Sequence, residues 1–202
     1  MASVQKFKQT GIVNILRHNA REVLNPSNQD IDAGRSHENY SLLQDGRSAY
    51  TIYQERKSEL YCHGRADVVT LAGWVVTAPQ DLPLEQHKAF FEKTHEFLSN
   101  RYGAENTVQS IVHQDESGQP HLHYCFIPAT ADHRHGGEKI CANDVLTRKE
   151  LRDFHPSLQK SLRDAGINAR VHTGVTGGMN RTVSELKQER EYKRDIERGV
   201  TF

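Results

Sequence analysis

Residues 113–123 read HQDESGQPHLH and lie between two segments of alternating apolar and polar residues, 107–112 and 122–127. Such alternation is typical of strands, and the Gly and Pro between the two segments are typical of a turn. Successive side chains of a strand point to opposite faces, so His121 and His123 share one face. The sequence therefore predicts a β-hairpin with imidazoles on one face.

The hairpin also predicts a metal site. His113 lies near the base of the opposite strand, where its ring can join those of His121 and His123. Three neutral imidazoles leave open coordination positions, which a catalytic metal ion requires. Two alternatives stay open: a solvated polar face, or a closed structural zinc site that includes Cys125. An iron site of two histidines and Asp115 is disfavoured, because its third ligand would have to be distant in sequence.

Composition limits the class of protein. The 202 residues include 26 basic and 26 acidic side chains, so any nucleic-acid surface must be local. The three cysteines have no C-x-x-C spacing, which is typical of reduced thiols. No apolar run approaches the length of a membrane span and the N-terminus has no signal-peptide core, so a cytoplasmic location is expected.

Strand and helix patterns are interleaved along the chain. Residues 67–77 read as a buried strand, and residues 84–102 as an amphipathic helix. A capping box at 147–150 opens a second helix, which Pro156 is expected to interrupt. No Gly-rich nucleotide loop follows a strand. The pattern predicts an α+β fold: a mainly antiparallel central sheet, with these helices on one face and the histidines on the other.

Two regions are expected. Residues 1–173 carry the motifs and are predicted to form the catalytic domain. Residues 174–202 begin with a Gly-rich linker and continue as a charged helix that can bury little apolar surface. This second region is expected to be the start of a longer C-terminal region.

Three motifs in order resemble those of one known family. Residues 18–21 read HNAR, residues 35–40 read RSHENY, and the hairpin follows. Together they resemble the Mob/Pre (MobV) plasmid mobilisation relaxases of the HUH endonuclease superfamily. Ser41 departs from the pattern, because the family usually has an acidic residue there.

The resemblance implies an enzyme that cuts one strand of plasmid DNA at the transfer origin and stays attached to the new 5′ end. It implies that His18 is the nucleophile, that Glu116 orients or deprotonates it, and that Arg21 is its basic neighbour. The implied metal ligands are His113, His121 and His123. The implied ion is Mn²⁺, with Mg²⁺, Zn²⁺ and Ni²⁺ as alternatives, although imidazoles alone favour Zn²⁺ or Ni²⁺ on affinity.

Tyrosine is the commoner nucleophile across the superfamily, so Tyr40 is the alternative to His18. The implied partner is origin-of-transfer DNA, single-stranded at the nick site. Local basic residues would contact its phosphates, and the residues expected to do so are Arg17, Arg21, Arg35 and Arg65. The resemblance also implies a homodimer that forms through segments beyond this chain.

Overall fold

The computed structural model describes residues 2–23, 28, 30–134 and 136–171. Its strands are β1 (Ala2–Lys8), β2 (Tyr40–Ser41), β3 (Val69–Thr77), β4 (Thr107–His113), β5 (His121–Phe126), β6 (Ala129–Ala131) and β7 (Glu138–Ile140). Its α-helices are α1 (Ile12–Asn19), α2 (Ala49–Ser58), α3 (Leu84–Tyr102), α4 (Ala142–Val145) and α5 (Arg148–Asp164). Short 3₁₀ helices span Gln9–Gly11, Ala33–Glu38 and Ala104–Asn106.

The central sheet has the strand order β1-β3-β5-β4-β2, and each neighbouring pair is antiparallel. The predicted hairpin is β4–β5, in which His113 lies opposite His121. His123 lies opposite Ile111. The predicted α+β fold with an antiparallel central sheet is therefore confirmed. β6 and β7 form a separate two-stranded sheet.

One face of the sheet is covered by α3 and α5, as predicted. Leu122, Tyr124 and Phe126 of β5 are completely buried in this layer. Trp74 of β3 stacks on Phe154 of α5, with their rings 7° from parallel. Apolar burial of this kind is the dominant favourable term in folding.

The opposite face, called here the histidine face, carries His113, His121 and His123. Part of it is covered by α1 and α2, which the sequence analysis did not place. Its apolar cluster includes Ile12 and Leu16 from α1. The three histidines therefore lie beside a second, smaller core rather than on a bare sheet.

Pro156 does not interrupt its helix, so that expectation is wrong. α5 continues through Pro156 from Arg148 to Asp164. Proline inside a helix costs about 3 kcal/mol, but Phe154 and Leu158 on either side of it are completely buried. Each such burial contributes about 1.5–3 kcal/mol, so core packing outweighs the local cost.

Within the described part of the chain, no helix is both long and apolar enough to cross a membrane. The predicted Gly-rich linker and charged helix, residues 174–202, lie outside the described residues.

Candidate active site

The hairpin brings three imidazoles together. One ring nitrogen from each of His113, His121 and His123 lies within 4.8 Å of the others. Their ring centroids are 4.5 to 5.4 Å apart. Strand register causes this convergence, because side chains of directly opposed residues lie on the same face. The geometry has room for one ion between the three nitrogens.

Hydrogen bonds fix which nitrogen faces the centre. Nε2 of His113 lies 2.7 Å from the backbone carbonyl of Asn19, which can only accept, so this nitrogen carries the hydrogen. His113 Nδ1 is then a bare lone pair, and it is buried without a hydrogen-bond partner. In His121, Nδ1 donates to the carbonyl of Gln119 at 3.1 Å and leaves Nε2 as the lone pair. These residues fit a divalent cation.

Two of the imidazoles, those of His113 and His123, are held neutral. Burial is the main cause that lowers the pKa of His113 to about 4, although the Asn19 carbonyl partly opposes the shift. Burial also lowers the pKa of His123 well below its usual value, followed by repulsion from His113 and His121. Neutral rings are the form that binds metal ions, so the site is ready to bind a cation near neutral pH.

Cys125 lies on the histidine face but outside the cluster of ligand atoms. Its Sγ accepts a hydrogen bond from Asn19 Nδ2 at 3.6 Å. Complete burial raises the pKa of this thiol to about 12, so the thiolate that zinc requires is disfavoured. The geometry therefore favours the open three-histidine site over a closed zinc site.

The C-terminal end of α1 docks directly on this site. The carbonyl of Asn19, the last residue of α1, accepts a hydrogen bond from His113 Nε2. Asn19 Nδ2 donates to Gln109 Oε1 at 3.0 Å. Gln109 Nε2 in turn donates to the carbonyl of Leu16 at 3.1 Å. These buried contacts set where His18, the residue before Asn19, stands relative to the three imidazoles.

His18 is half-buried at the helix end. Burial, followed by the positive charge of Arg21, lowers its pKa below the usual 6.5, and the opposing effects of Glu116 and Asp115 are smaller. A neutral imidazole has the lone pair that a nucleophile needs. Near neutral pH the neutral form of His18 is therefore favoured.

Arg21 is held inside the site by two carboxylates. Its Nε and Nη2 bond both oxygens of Asp115 at 2.8 and 2.6 Å, and Nη2 also bonds Glu116 at 2.9 Å. The Arg21 backbone has a φ of 58°, in the left-handed region that costs a non-glycine residue about 1–2 kcal/mol. The ion pairs oppose this cost.

Glu116 lies at the edge of the imidazole cluster. Its Oε1 is 3.9 Å from His113 Nδ1, and its Oε2 is 3.9 Å from His121 Nε2. Both of these nitrogens are the lone-pair atoms. The carboxylate is thus placed between the imidazoles and Arg21, where it can accept a proton or approach a bound cation.

Tyr40, the alternative nucleophile, lies on the other face. It pairs with Val112, whose side chain is buried in the layer under α3 and α5, and Tyr40 packs against that layer. Burial, followed by the charge of Glu92, raises the pKa of Tyr40 to about 12. The phenolate that would attack DNA is therefore disfavoured, and the sheet separates its hydroxyl from the histidines.

The other basic residues expected to contact DNA lie on the surface. Arg17, Arg35 and Arg65 are 57%, 47% and 75% exposed. Each pairs with an acid a few residues away in sequence; the partners are Glu22, Glu38 and Asp67 respectively. Exposed pairs contribute about 0–1 kcal/mol, so a phosphate can displace the acid. Arg21 differs, because its guanidinium is bonded within the site.

The sequence alone indicated no role for Asn19, Gln109 or Ser36, and it indicated Asp115 only as the carboxylate of a disfavoured iron site. Asp115 is completely buried and accepts a hydrogen bond from Ser36 Oγ at 2.8 Å. The local signal was present, because these residues lie within or beside the three motifs. Their partners, however, are far away in sequence.

Comparison with known proteins gives a consistent family. A family model described as "Plasmid recombination enzyme" (Mob_Pre) matches residues 1–194. A plasmid recombination enzyme of Bacillus thuringiensis is 37% identical over 171 residues, which cover 82% of this chain and 37% of that protein. A type 3 enzyme of Staphylococcus aureus is 30% identical and covers 94% of this chain and 47% of that protein.

A similar solved structure is the MobM relaxase domain bound to plasmid pMV158 oriT DNA in a Mn-bound crystal. It is 28% identical, with a TM-score of 0.78, and the match covers 94% of this chain and 97% of that one. The match to this domain is nearly complete, whereas the chain spans between about a third and just over half of the curated relatives' length.

Proposed function

Because this chain belongs to the Mob/Pre family of plasmid recombination enzymes, we propose that it is a plasmid mobilisation relaxase. It cuts and rejoins one strand of DNA at a transfer origin. Its substrate is origin DNA that is single-stranded at the nick, as the oriT complex of the similar relaxase domain supports. We also propose a bacterial cytoplasmic location, where plasmid DNA is found.

His18 is the proposed nucleophile. A neutral ring nitrogen of His18 attacks the phosphorus, and the bond from phosphorus to the 3′ oxygen breaks. The 5′ phosphate stays on His18 as a phosphoramidate, and the 3′ oxygen leaves and takes up a proton. Attack by a free 3′ hydroxyl on the same phosphorus reverses the reaction, so the site can also rejoin the strand.

The observation that carries this assignment is the bond from His113 to the carbonyl of Asn19. It ties the residue next to His18 to the proposed metal ligands. The neutral state of His18 and the placement of Tyr40 on the opposite face also support His18 over Tyr40.

His113, His121 and His123 would hold the divalent cation. We propose Mn²⁺, since the similar relaxase domain is Mn-bound. When bound there, such a cation would supply Lewis-acid polarisation of the phosphoryl oxygens. Glu116 stands beside the imidazoles, where it would orient His18 or take its proton, and Arg21 holds Glu116 in that place.

A covalent-adduct assay tests the proposal. The protein is mixed with labelled single-stranded oligonucleotides from the transfer origin of its own plasmid, with Mn²⁺ or with a chelator, and run on a denaturing gel. A Mn²⁺-dependent protein–DNA band is expected, and brief acid treatment should remove it because phosphoramidates are acid-labile. An acid-stable band would instead indicate a tyrosine. No band with either origin strand, although Mn²⁺ binds, would overturn the relaxase assignment.

A further inference from the structure

Both carboxylate oxygens of Asp115 are bonded by side chains of the protein itself. Its side chain is fully buried, and both oxygens bond Arg21. Oδ2 also accepts the hydroxyl hydrogen of Ser36 at 2.8 Å. The backbone carbonyl of Asp115 accepts the amide of Asp32 at 2.7 Å. The carboxylate is therefore held by Arg21 and Ser36, although one of its oxygens also lies within 4.8 Å of ligand atoms of His113 and Glu116.

Residues 31–39 enclose this acid from the other side. Ile31 forms an antiparallel bridge with Glu116, and Asn39 Oδ1 accepts the amide of Gln114 at 2.7 Å. Gln114 Nε2 donates to the carbonyl of Glu38 at 2.7 Å. The segment therefore bonds each of the hairpin residues 114–116, and it holds them against α1.

Arg21 carries the effect of Asp115 to the reacting groups. Arg21 also bonds Glu116, the carboxylate that lies 3.9 Å from lone-pair nitrogens of His113 and His121. The backbone of Arg21 is in the strained left-handed region. Without its ion pairs, Arg21 would be expected to leave this backbone conformation. Removal of the Asp115 charge would therefore release Arg21 first, and then Glu116.

We propose that Asp115 is a positioning residue that fixes Arg21, and through Arg21 fixes Glu116 beside the imidazole cluster, while residues 31–39 hold Asp115 in place. The catalytic consequence rests on the proposed relaxase function. The link between Asp115, Arg21 and Glu116 itself stands on the contacts.

The first test is Asp115→Asn, which keeps the side-chain shape and removes the charge. Single-turnover cleavage at saturating DNA should slow by about tenfold or more, because small misplacement of reacting groups is costly. DNA affinity and Mn²⁺ affinity should stay within about threefold, since the ligands are unchanged. The matched control is Asp132→Asn, which alters a buried aspartate that accepts the amide of Arg134. The control should cleave like wild type.

A double-mutant cycle separates positioning from general damage. If Asp115 acts through Arg21, Asp115→Asn should cost much less in an Arg21→Lys protein than in wild type. Equal losses in both backgrounds would overturn the proposal, as would a folded Asp115→Asn protein that cleaves at the wild-type rate. If that variant does not fold, Ser36→Ala replaces it. It should slow cleavage severalfold without weakening DNA binding, and an unchanged cleavage rate would overturn the proposal.

The same proteins separate this proposal from the relaxase function. If wild type forms no adduct, the relaxase function fails, and urea unfolding of the metal-free variants then decides the link. The link is supported if the losses of unfolding free energy in Asp115→Asn and Arg21→Lys do not sum to the loss in the double variant. Additive values overturn it.

Discussion

Nε2 of His113 donates to the backbone carbonyl of Asn19 over 2.7 Å, between residues 94 positions apart in the sequence. The bond has two consequences. It leaves Nδ1 of His113 as the lone pair that faces the imidazole cluster, and it fastens α1 to the hairpin. The proposed nucleophile and the proposed metal ligands are thus parts of one hydrogen-bonded unit.

We expect His18→Ala to abolish the covalent adduct while Mn²⁺ binding and DNA binding stay near wild type. The reason is that Ala removes the attacking nitrogen and leaves the imidazole cluster intact. Tyr40→Phe is the matched control, since it removes the hydroxyl of the alternative nucleophile on the opposite face. It should keep the adduct. If His18→Ala still forms the adduct and Tyr40→Phe does not, the assignment is reversed.

Asn19→Ala should lower the free energy of unfolding by about 1–3 kcal/mol, because Gln109 Oε1 loses its buried donor. Mn²⁺ affinity should fall by up to about tenfold, since the support of His113 is loosened. Urea unfolding and Mn²⁺ titration measure the two effects. Asn14→Ala, on the exposed side of the same helix, is the control and should change stability by less than about 0.5 kcal/mol. If Asn19→Ala and Asn14→Ala changed stability and Mn²⁺ affinity equally, the Asn19 contacts would contribute nothing to either property.

The metal-free protein should lose stability as pH falls. The pKa of His113 is about 4 in the folded chain and 6.5 in its ordinary state. As pH falls, the unfolded chain therefore binds the proton first. The part of the unfolding free energy that depends on neutral His113 is complete above pH 6.5 and is lost as pH falls toward 4. The difference corresponds to about 3 kcal/mol. Urea unfolding at pH 7 and pH 5 in chelator measures it.

His113→Gln should reduce that pH dependence, and His123 should supply the remainder because burial also lowers its pKa. The control is His63→Gln, at an exposed histidine, which should leave the pH dependence unchanged. Mn²⁺ affinity of wild type should weaken over the same pH range, because protons compete for the ligand nitrogens. A stability that is flat between pH 7 and pH 5 would contradict the burial of a neutral His113.

Alanine at Arg17, Arg35 or Arg65 should weaken origin binding without changing its sequence preference. Each lost phosphate contact should lower the slope of log affinity against log salt by about 1. Fluorescence anisotropy over a range of salt concentrations measures the slope. Lys88→Ala, at a site 78% exposed on α3 across the sheet, is the control. A residue whose alanine variant has the wild-type slope does not contact phosphate.

Leu98→Ala should destabilise the fold by about 2–5 kcal/mol, since Leu98 is completely buried between α3 and the sheet. Leu84→Ala is a matched control on the same helix, because Leu84 is 80% exposed. It should cost less than about 0.5 kcal/mol. Thermal unfolding of both variants checks the side on which α3 packs.

Some features of the fold and of the site could be predicted from the sequence, and others could not. The hairpin, its turn and the shared face of His121 and His123 follow from alternation with a period of two, which is local and therefore readable from sequence. The position of α3 followed in the same way from its helical period. The docking of α1 and α2 on the histidine face did not, because their apolar stripes are short and have no local signal for a partner.

By itself, the sequence determined the antiparallel hairpin and the shared face of His121 and His123, because strand geometry places neighbouring residues without reference to the rest of the chain. The register that brings His113 opposite His121 was seen only in the structure. Tertiary structure alone decided that Asn19 supports His113, that Asp115 and Glu116 bind Arg21, and that Tyr40 faces away from the histidines. These contacts join residues about 70 to 95 positions apart. Such pairings depend on packing of the whole core, which no local periodicity encodes.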